Sequence, residues 1–200
     1  MAVIAAYLLG SVNFSLAAAH LAGRSAELRA SGSGNPGASN VMRAMGLRWA
    51  IPVLLLDAGR GAGVALAATA FIQGPWQPYA ICLSLILGNL FPLFHKFQGG
   101  KGIANSLGVF LGLDWLVALS SCAIWFAVAL PSRYASAGSL AMMLAMPIGL
   151  HLHGASTQAT AFGATLFALT LFTHKGNISR LLKGQEKRLN SGTPNGVPGE

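Results

Sequence analysis

Gly32 to Arg43 reads GSGNPGASNVMR, and before Val41 nothing in it is larger than Asn or Pro. Glycines let the backbone take positive φ and come close to a ligand. Successive peptide N–H groups in such a turn form a concavity that holds anions. Ser33, Gly34, Asn35, Gly37, Ala38, Ser39 and Asn40 are therefore candidate binding residues, with Arg43 adding a cation. ASNVMRAMG reads as a helix start with Ser39 or Asn40 as N-cap, which would add the partial positive charge of a helix N-terminus. A flexible Gly/Ser loop is the plain alternative. Against it stand Arg43, near the first turn of that helix, and the confinement of the loop between two apolar runs.

Three further segments carry polar chemistry. Phe97 to Gly108 reads FQGGKGIANSLG, where Lys101 precedes a short helix whose N-terminus would point at whatever Lys101 binds. GGKG lacks the spacing of a Walker A loop, and a lysine that merely orients a helix at a membrane surface accounts for Lys101 about as well. Thr173 to Arg188 reads THKGNISRLLKGQEKR, and His174, Asn177 and Arg180 recur every three residues, near one helix face. Lys183, Lys187 and Arg188 fit a polybasic tail on anionic lipid, a role that needs neither His174 nor Asn177. In SRYASAGS, Ser136 is either an N-cap or a polar contributor, and Ser139 either relieves helix packing or joins the site.

The elements that must position these residues are apolar. The chain is 54% hydrophobic and only 9% charged, with a net charge of +8 and a mean hydropathy of +0.58, whereas soluble domains carry about 25% charge. Seven apolar runs approach the roughly 20 residues that a bilayer-spanning helix needs: about Ala2–Leu21, Trp49–Ile72, Pro78–Phe94, a short one at Gly102–Leu113, Trp115–Leu130, Ser136–Leu152 and Thr157–Thr173. No A-x-A-like cleavage site follows the first, which reads as a retained helix. Apart from Arg60, every Lys and Arg falls on one side if the first helix starts outside, while QGPWQP, LDW and HLHGAS carry none. That is the positive-inside pattern. The expected fold is an all-α integral membrane protein of seven transmembrane helices, N-terminus outside and C-terminus cytoplasmic. One domain spans 1–189, with a disordered Gly/Pro-rich tail at 190–200.

Loop amides, Arg43, Lys101, Ser139, His174 and Asn177 thus meet at one membrane face, which suits a phosphate-bearing, partly apolar substrate. The only acids are Glu27, Asp57, Asp114, Glu186 and Glu200, so a carboxylate cluster for Mg²⁺ is not expected, nor is a metal or other cofactor. There is no G-x-S-x-G elbow and no His followed five places later by Asp. Cys82 and Cys122 read as apolar filler. Asp57 and Arg60, three apart within a span, either serve structure or extend the anion site inward.

GSGNPGASNVMRAMG, FQGGKGIANSLGV, RYASAGS and HKGNISRLLKGQE together resemble the signature segments of the bacterial acyl-phosphate-dependent glycerol-3-phosphate acyltransferase family, in family order along nearly the whole chain. The resemblance implies a seven-helix, multi-pass enzyme of the bacterial inner membrane. It would move an acyl group from acyl phosphate to glycerol 3-phosphate, giving lysophosphatidic acid for phospholipid synthesis. Membrane lipids and an acyl-phosphate-producing enzyme would be its functional partners, and nucleic acid would not. It also implies roles: Ser33 to Asn40 cradling the acyl-phosphate head, with Arg43, Lys101, Ser139, His174 and Asn177 on glycerol 3-phosphate and Arg180 beside them. His174, Asn177 and Lys101 are the catalytic candidates. The proton acceptor is His174 or, preferably, the substrate's own phosphate, since no carboxylate is evident to raise the basicity of His174. Asn13, Ser15, Asn89, Gln98, Lys175 and Gly176 depart from the usual family residues. A transporter or binder of a phosphate-bearing lipid precursor is the alternative, although no internal repeat is found.

Overall fold

The protein was described from a computed structural model that covers residues 1–30 and 34–189, with only the main chain of Arg29. Ser33 and the 190–200 tail therefore lie outside the described residues. The rest is helical: α1 (Ala2–Ser11), α2 (Phe14–Leu21), α3 (Ser25–Ala30), α4 (Ala38–Met45), α5 (Leu47–Phe71), α6 (Gln77–Leu90), α7 (Ile103–Leu113), α8 (Trp115–Ser132), α9 (Ala135–Leu152), α10 (Thr157–Thr173) and α11 (Lys175–Leu182), with a 3₁₀ turn at Leu93–His95. No strand occurs among the described residues.

Five stretches are long and apolar enough to cross a bilayer: Ala2–Leu21, Leu47–Phe71, Gln77–His95, Trp115–Ser132 and Ala135–Leu152. α10, with 17 residues, and α7, with 11, are shorter. Large apolar side chains point outward, Leu55 being 65% and Leu119 52% exposed, whereas Ala65, Ala118 and Ser121 are buried. This distribution inverts that of a soluble protein. Lipid is as apolar as leucine, so helices gain by bringing small residues together and leaving leucines outside.

The first span is not continuous. α1 ends at Ser11, and Asn13 caps α2 with its side chain, accepting from Leu16 N at 3.0 Å. An Asn side chain that competes for a backbone N–H favours such a break. Elsewhere α5 packs on α7, α1 on α6, α8 on α9 and α9 on α10. The α5–α7 crossing depends on two glycines. A Cβ on Gly108 would lie 1.9 Å from Ala58 O, and one on Gly61 would lie 2.3 Å from Asn105 O. The main core gathers Leu85, Phe110, Met143, Met146 and Phe162. A second cluster, including Leu28, Val41, Met45 and Val53, seats α4 against α2, α3 and α5.

Gly108→Ala therefore forces main chain from main chain and should cost about 1–3 kcal/mol. Gly63→Ala, with nothing within 4 Å of its Cβ, should be neutral or gain up to about 1 kcal/mol from helix propensity. Thermal unfolding in detergent separates the two, and equal melting temperatures would contradict this account of the crossing.

Candidate active site

Two of the polar interruptions meet directly. Gly34, Asn35 and Pro36 line one cavity of ≈ 420 Å³ with Gly99, Gly100 and Lys101, a volume typical of small-molecule sites. A Cβ on Gly100 would stand 2.6 Å from Pro36 O, so the loops touch only because that residue is glycine. Gly34 turns at φ 71°. Gly100 N donates to Asn89 O at 3.1 Å, which fixes the second loop to the end of α6. Leu16, Phe91 and Phe172 make part of the cavity wall apolar.

Behind Lys101 lies a chain of polar contacts. Lys101 Nζ donates to Asn177 Oδ1. Asn177 Nδ2 donates to Glu186 Oε1 at 2.5 Å, Ser136 Oγ donates to the same oxygen at 2.8 Å, and Arg180 Nε donates to Glu186 Oε2 at 2.8 Å. Glu186 itself is buried. Burial alone would raise its pKa, but the hydrogen bonds from Asn177, Ser136 and Arg180 outweigh this and hold it below the usual carboxylate value. Burial draws the Lys101 pKa down to about 8, with Glu186 opposing and Arg180 and Arg43 reinforcing the fall. Burial likewise lowers that of Arg43.

His174 is 2% exposed, between α10 and α11. Its Nδ1 lies 3.0 Å from Thr170 O. A carbonyl only accepts, so Nδ1 carries the hydrogen and Nε2 keeps the lone pair. Burial, then the Lys101 charge, lowers the His174 pKa to about 4, so the ring is neutral at pH 7.

The expected residues divide into groups. Lys101, Asn177 and Arg180 belong to the polar cluster, with His174 beside Lys101; Arg43 is coupled to it through Glu186 and Arg180. Arg43 Nε is buried without a hydrogen-bond partner among the described residues, as is Asn40 Oδ1. Asn40 turns its amide nitrogen to Leu28 O at 2.9 Å and so ties α4 to α3. The cap of α4 is Gly37, not Ser39 or Asn40: the helix starts at Ala38 because the extended glycine leaves its carbonyl to accept from Asn40 N and Val41 N. Ser39 and Asn35 are exposed. Ser139 Oγ is engaged within its own layer, donating to Ala135 O at 2.9 Å and receiving Trp125 Nε1 at 3.2 Å. One turn earlier, Ser136 reaches the cluster instead. Glu186 escaped the sequence reading as a site residue, whereas Ser136, left open there between N-cap and polar contributor, is not the cap, which is Tyr134, but donates to Glu186. The only clue to Glu186 was an acid standing alone within the basic run KGQEKR.

Fold and site together define an all-helical membrane protein with cations, amides and glycine-rich loops gathered beside one cavity. The profile of glycerol-3-phosphate acyltransferases matches residues 1–184. The glycerol-3-phosphate acyltransferase of Brucella suis is 42% identical over 94% of this chain and 92% of its own, and that of Thioalkalivibrio sulfidiphilus is 40% identical over 96% and 95%. The crystal structure of PlsY (YgiH), an integral membrane glycerol 3-phosphate acyltransferase in its glycerol 3-phosphate form, superposes with a TM-score of 0.87 at 37% identity, covering 94% of this chain and 93% of that one. Its lysophosphatidic acid form gives 0.85 at 35%, with the same coverage. The chain belongs to the glycerol-3-phosphate acyltransferase family.

Because the Glu186 pKa is lowered on folding, its stabilising contribution is complete above the ordinary carboxylate pKa of ~4.5 and fades as pH falls through the lower folded value. Glu186→Gln should cost about 1–3 kcal/mol at pH 7. Thermal unfolding of variant and parent should converge as pH falls through the lowered folded value, and a gap of constant size would contradict the charged role.

Proposed function

We propose that this protein transfers an acyl group from acyl phosphate to glycerol 3-phosphate, releasing lysophosphatidic acid and phosphate at the cytoplasmic face of the bacterial inner membrane. Membership of the family supports acyl transfer to glycerol 3-phosphate. The observation that carries the donor assignment is the cavity shared by the Gly34–Pro36 and Gly99–Lys101 loops, where glycine-rich main chain and a lysine stand next to apolar walls. An acyl phosphate has this mixed character: an anionic head with an acyl tail. An enzyme that makes acyl phosphate would have to supply it. The charge map supports seven spans with the N-terminus outside, α7 and α10 being the two shorter crossings and the 1–189 region a single domain.

In the reaction, the glycerol 3-phosphate hydroxyl oxygen bonds to the acyl carbonyl carbon. The bond from that carbon to the phosphate oxygen breaks, and inorganic phosphate leaves with the electron pair. The donor is already activated, so the protein contributes orientation and charge stabilisation. Lys101 and Arg43 carry charge to the phosphates, and the main chain of Gly34 and Asn35, with the Gly99–Lys101 loop, cradles the donor head. Asn177, with Oδ1 on Lys101 and Nδ2 on Glu186, fixes the lysine's direction, and Arg180 balances Glu186. His174 is too weak a base at a pKa of about 4 to take the hydroxyl proton outright. Its Nε2 lone pair orients the hydroxyl, and a substrate phosphate, with a second pKa near ~6, takes the proton. Ser139 acts from behind by fixing α9 through Trp125.

Purified protein in detergent should form lysophosphatidic acid from acyl phosphate and glycerol 3-phosphate, and much less with acyl-CoA offered in its place. Lys101→Ala and Asn177→Ala should each lose most turnover, by about 100-fold; full activity in both would refute the site. Movement or binding of a phosphate ester without any product would favour a transporter. The KM for glycerol 3-phosphate should rise as pH passes about 8, where Lys101 loses its charge, and a flat profile through that range would contradict the role of this lysine.

A further inference from the structure

Arg60 sits on α5, deep between helices, and its side chain is 4% exposed. Nε donates to Asn105 Oδ1 at 3.0 Å, and one terminal nitrogen donates to Asp57 Oδ1 at 2.8 Å. The other donates to Leu9 O at 3.0 Å and to Val12 O at 2.6 Å. Asn105 Nδ2 closes the ring by donating to Asp57 Oδ1 at 3.1 Å. The guanidinium also lies 4.8 Å from the centre of the Phe14 ring. None of these partners belongs to the Glu186 cluster, so the Asp57–Arg60 pair does not extend the anion site inward.

Its partners lie instead beside two segments whose residues line the cavity, α2 with Leu16 and the loop before α7 with Lys101. In an unbroken first helix Leu16 N would donate to Val12 O, but Leu16 N is taken by Asn13 Oδ1. Arg60 supplies the missing donor and thereby holds the break open at a fixed angle. Directly after the break comes α2, whose Leu16 lines the cavity. On the other side, Asn105 stands four residues after Lys101, within the first turn of α7. One planar cation thus grips the chain beside both segments.

We propose that Arg60 is a positioning residue for acyl transfer: held by Asp57, it fixes the broken first span and the head of α7 against each other, and so sets where Lys101 stands relative to the Leu16 wall. A buried ion pair is weak evidence for stability, because apolar residues of similar volume often serve as well or better. What an apolar replacement cannot do is cap Val12 O and orient Asn105 at once. The planar fork of arginine meets several acceptors in one plane. Misplacing a reacting group by an ångström is costly even when the protein stays folded.

The proposal rests on the acyl-transfer reading, and its test keeps the two apart. Asp57→Leu/Arg60→Met removes both charges together. Asn105→Leu keeps the ion pair and cuts only the link to α7. A purely structural role would lower the amount of folded enzyme, and hence Vmax, while leaving the KM of the surviving molecules alone. The positioning role instead predicts that the KM for glycerol 3-phosphate rises about tenfold in the double variant and at least about threefold in Asn105→Leu, each at near-parental melting temperature. Arg60→Lys keeps the charge but loses the planar fork that reaches Asn105 and Val12 O together, so its KM should also rise at least about threefold, and a parental KM there would overturn the proposal. An unchanged KM in Asn105→Leu overturns the proposal even where the double variant does not fold. If the parent protein makes no product at all, acyl transfer itself fails; if it does and the variants match its KM, only the role of Arg60 fails.

Discussion

Three cations beside one cavity repel each other, and the burial of Lys101 and Arg43 leaves little water to screen the repulsion. Glu186 resolves the conflict. Its two oxygens take Asn177, Ser136 and Arg180 as partners, and its charge opposes the burial penalty on both Lys101 and Arg43. One carboxylate against Arg43, Lys101 and Arg180 leaves the cluster positive, so it still attracts an anion, yet it holds together before an anion arrives. The elements that supply these groups are far apart in sequence: α4, the loop before α7, the head of α9, and α11 with the loop after it. A single carboxylate ties α9 and α11 directly through hydrogen bonds and acts on α4 and the loop before α7 through its charge, while apolar contacts seat α4 itself.

The same scarcity of water governs the interior. Every break in a helix leaves carbonyls that lipid cannot satisfy, and this chain breaks its first span at Val12. Arg60 and Asn13 answer that break from two directions, one with a guanidinium and the other with an amide. Close crossings of α5 and α7 at Gly61 and Gly108 then let side chains as short as Asn105 and Asp57 complete the network. Small residues here are what make a polar interior reachable.

The long apolar helices, basic loops and the two glycine-rich segments were legible because each writes itself locally, as hydropathy, as charge or as a run of residues without bulk. Gly34 and Lys101 could be assigned to one face by counting spans. The break at Val12 was not legible, since an apolar run such as AVIAAYLLGSV reads the same whether or not the helix continues, and one of the two groups that hold it, Arg60, lies 48 residues on. The cap of α4 moved to Gly37 because an N-cap needs only a suitable φ and ψ, which hydroxyl preference does not reveal. Ser136 and Ser139 differ by one turn, and which of them faces Glu186 depends on the rotation of α9 against α8, fixed by Trp125 and Gly138.

Glu186 was the least visible of all, and the reason is physical. An acid within a basic tail reads as a solvated member of a charge pattern, for its partners lie 9 and 50 residues away. The turn at Gly184, with φ 66°, folds the chain back after α11 and carries Glu186 under Asn177. That fold-back is closed by Leu189 N donating to Arg133 O at 2.7 Å, so the segment after α11 is bound to the α8–α9 turn as well as to the site. Neutralising charge in the cation cluster and tying down the C-terminal segment are in this way one event. A substrate phosphate that draws Lys101 toward itself would meet Asn177 already aligned, because the far side of that amide is held by a carboxylate with no reason to leave.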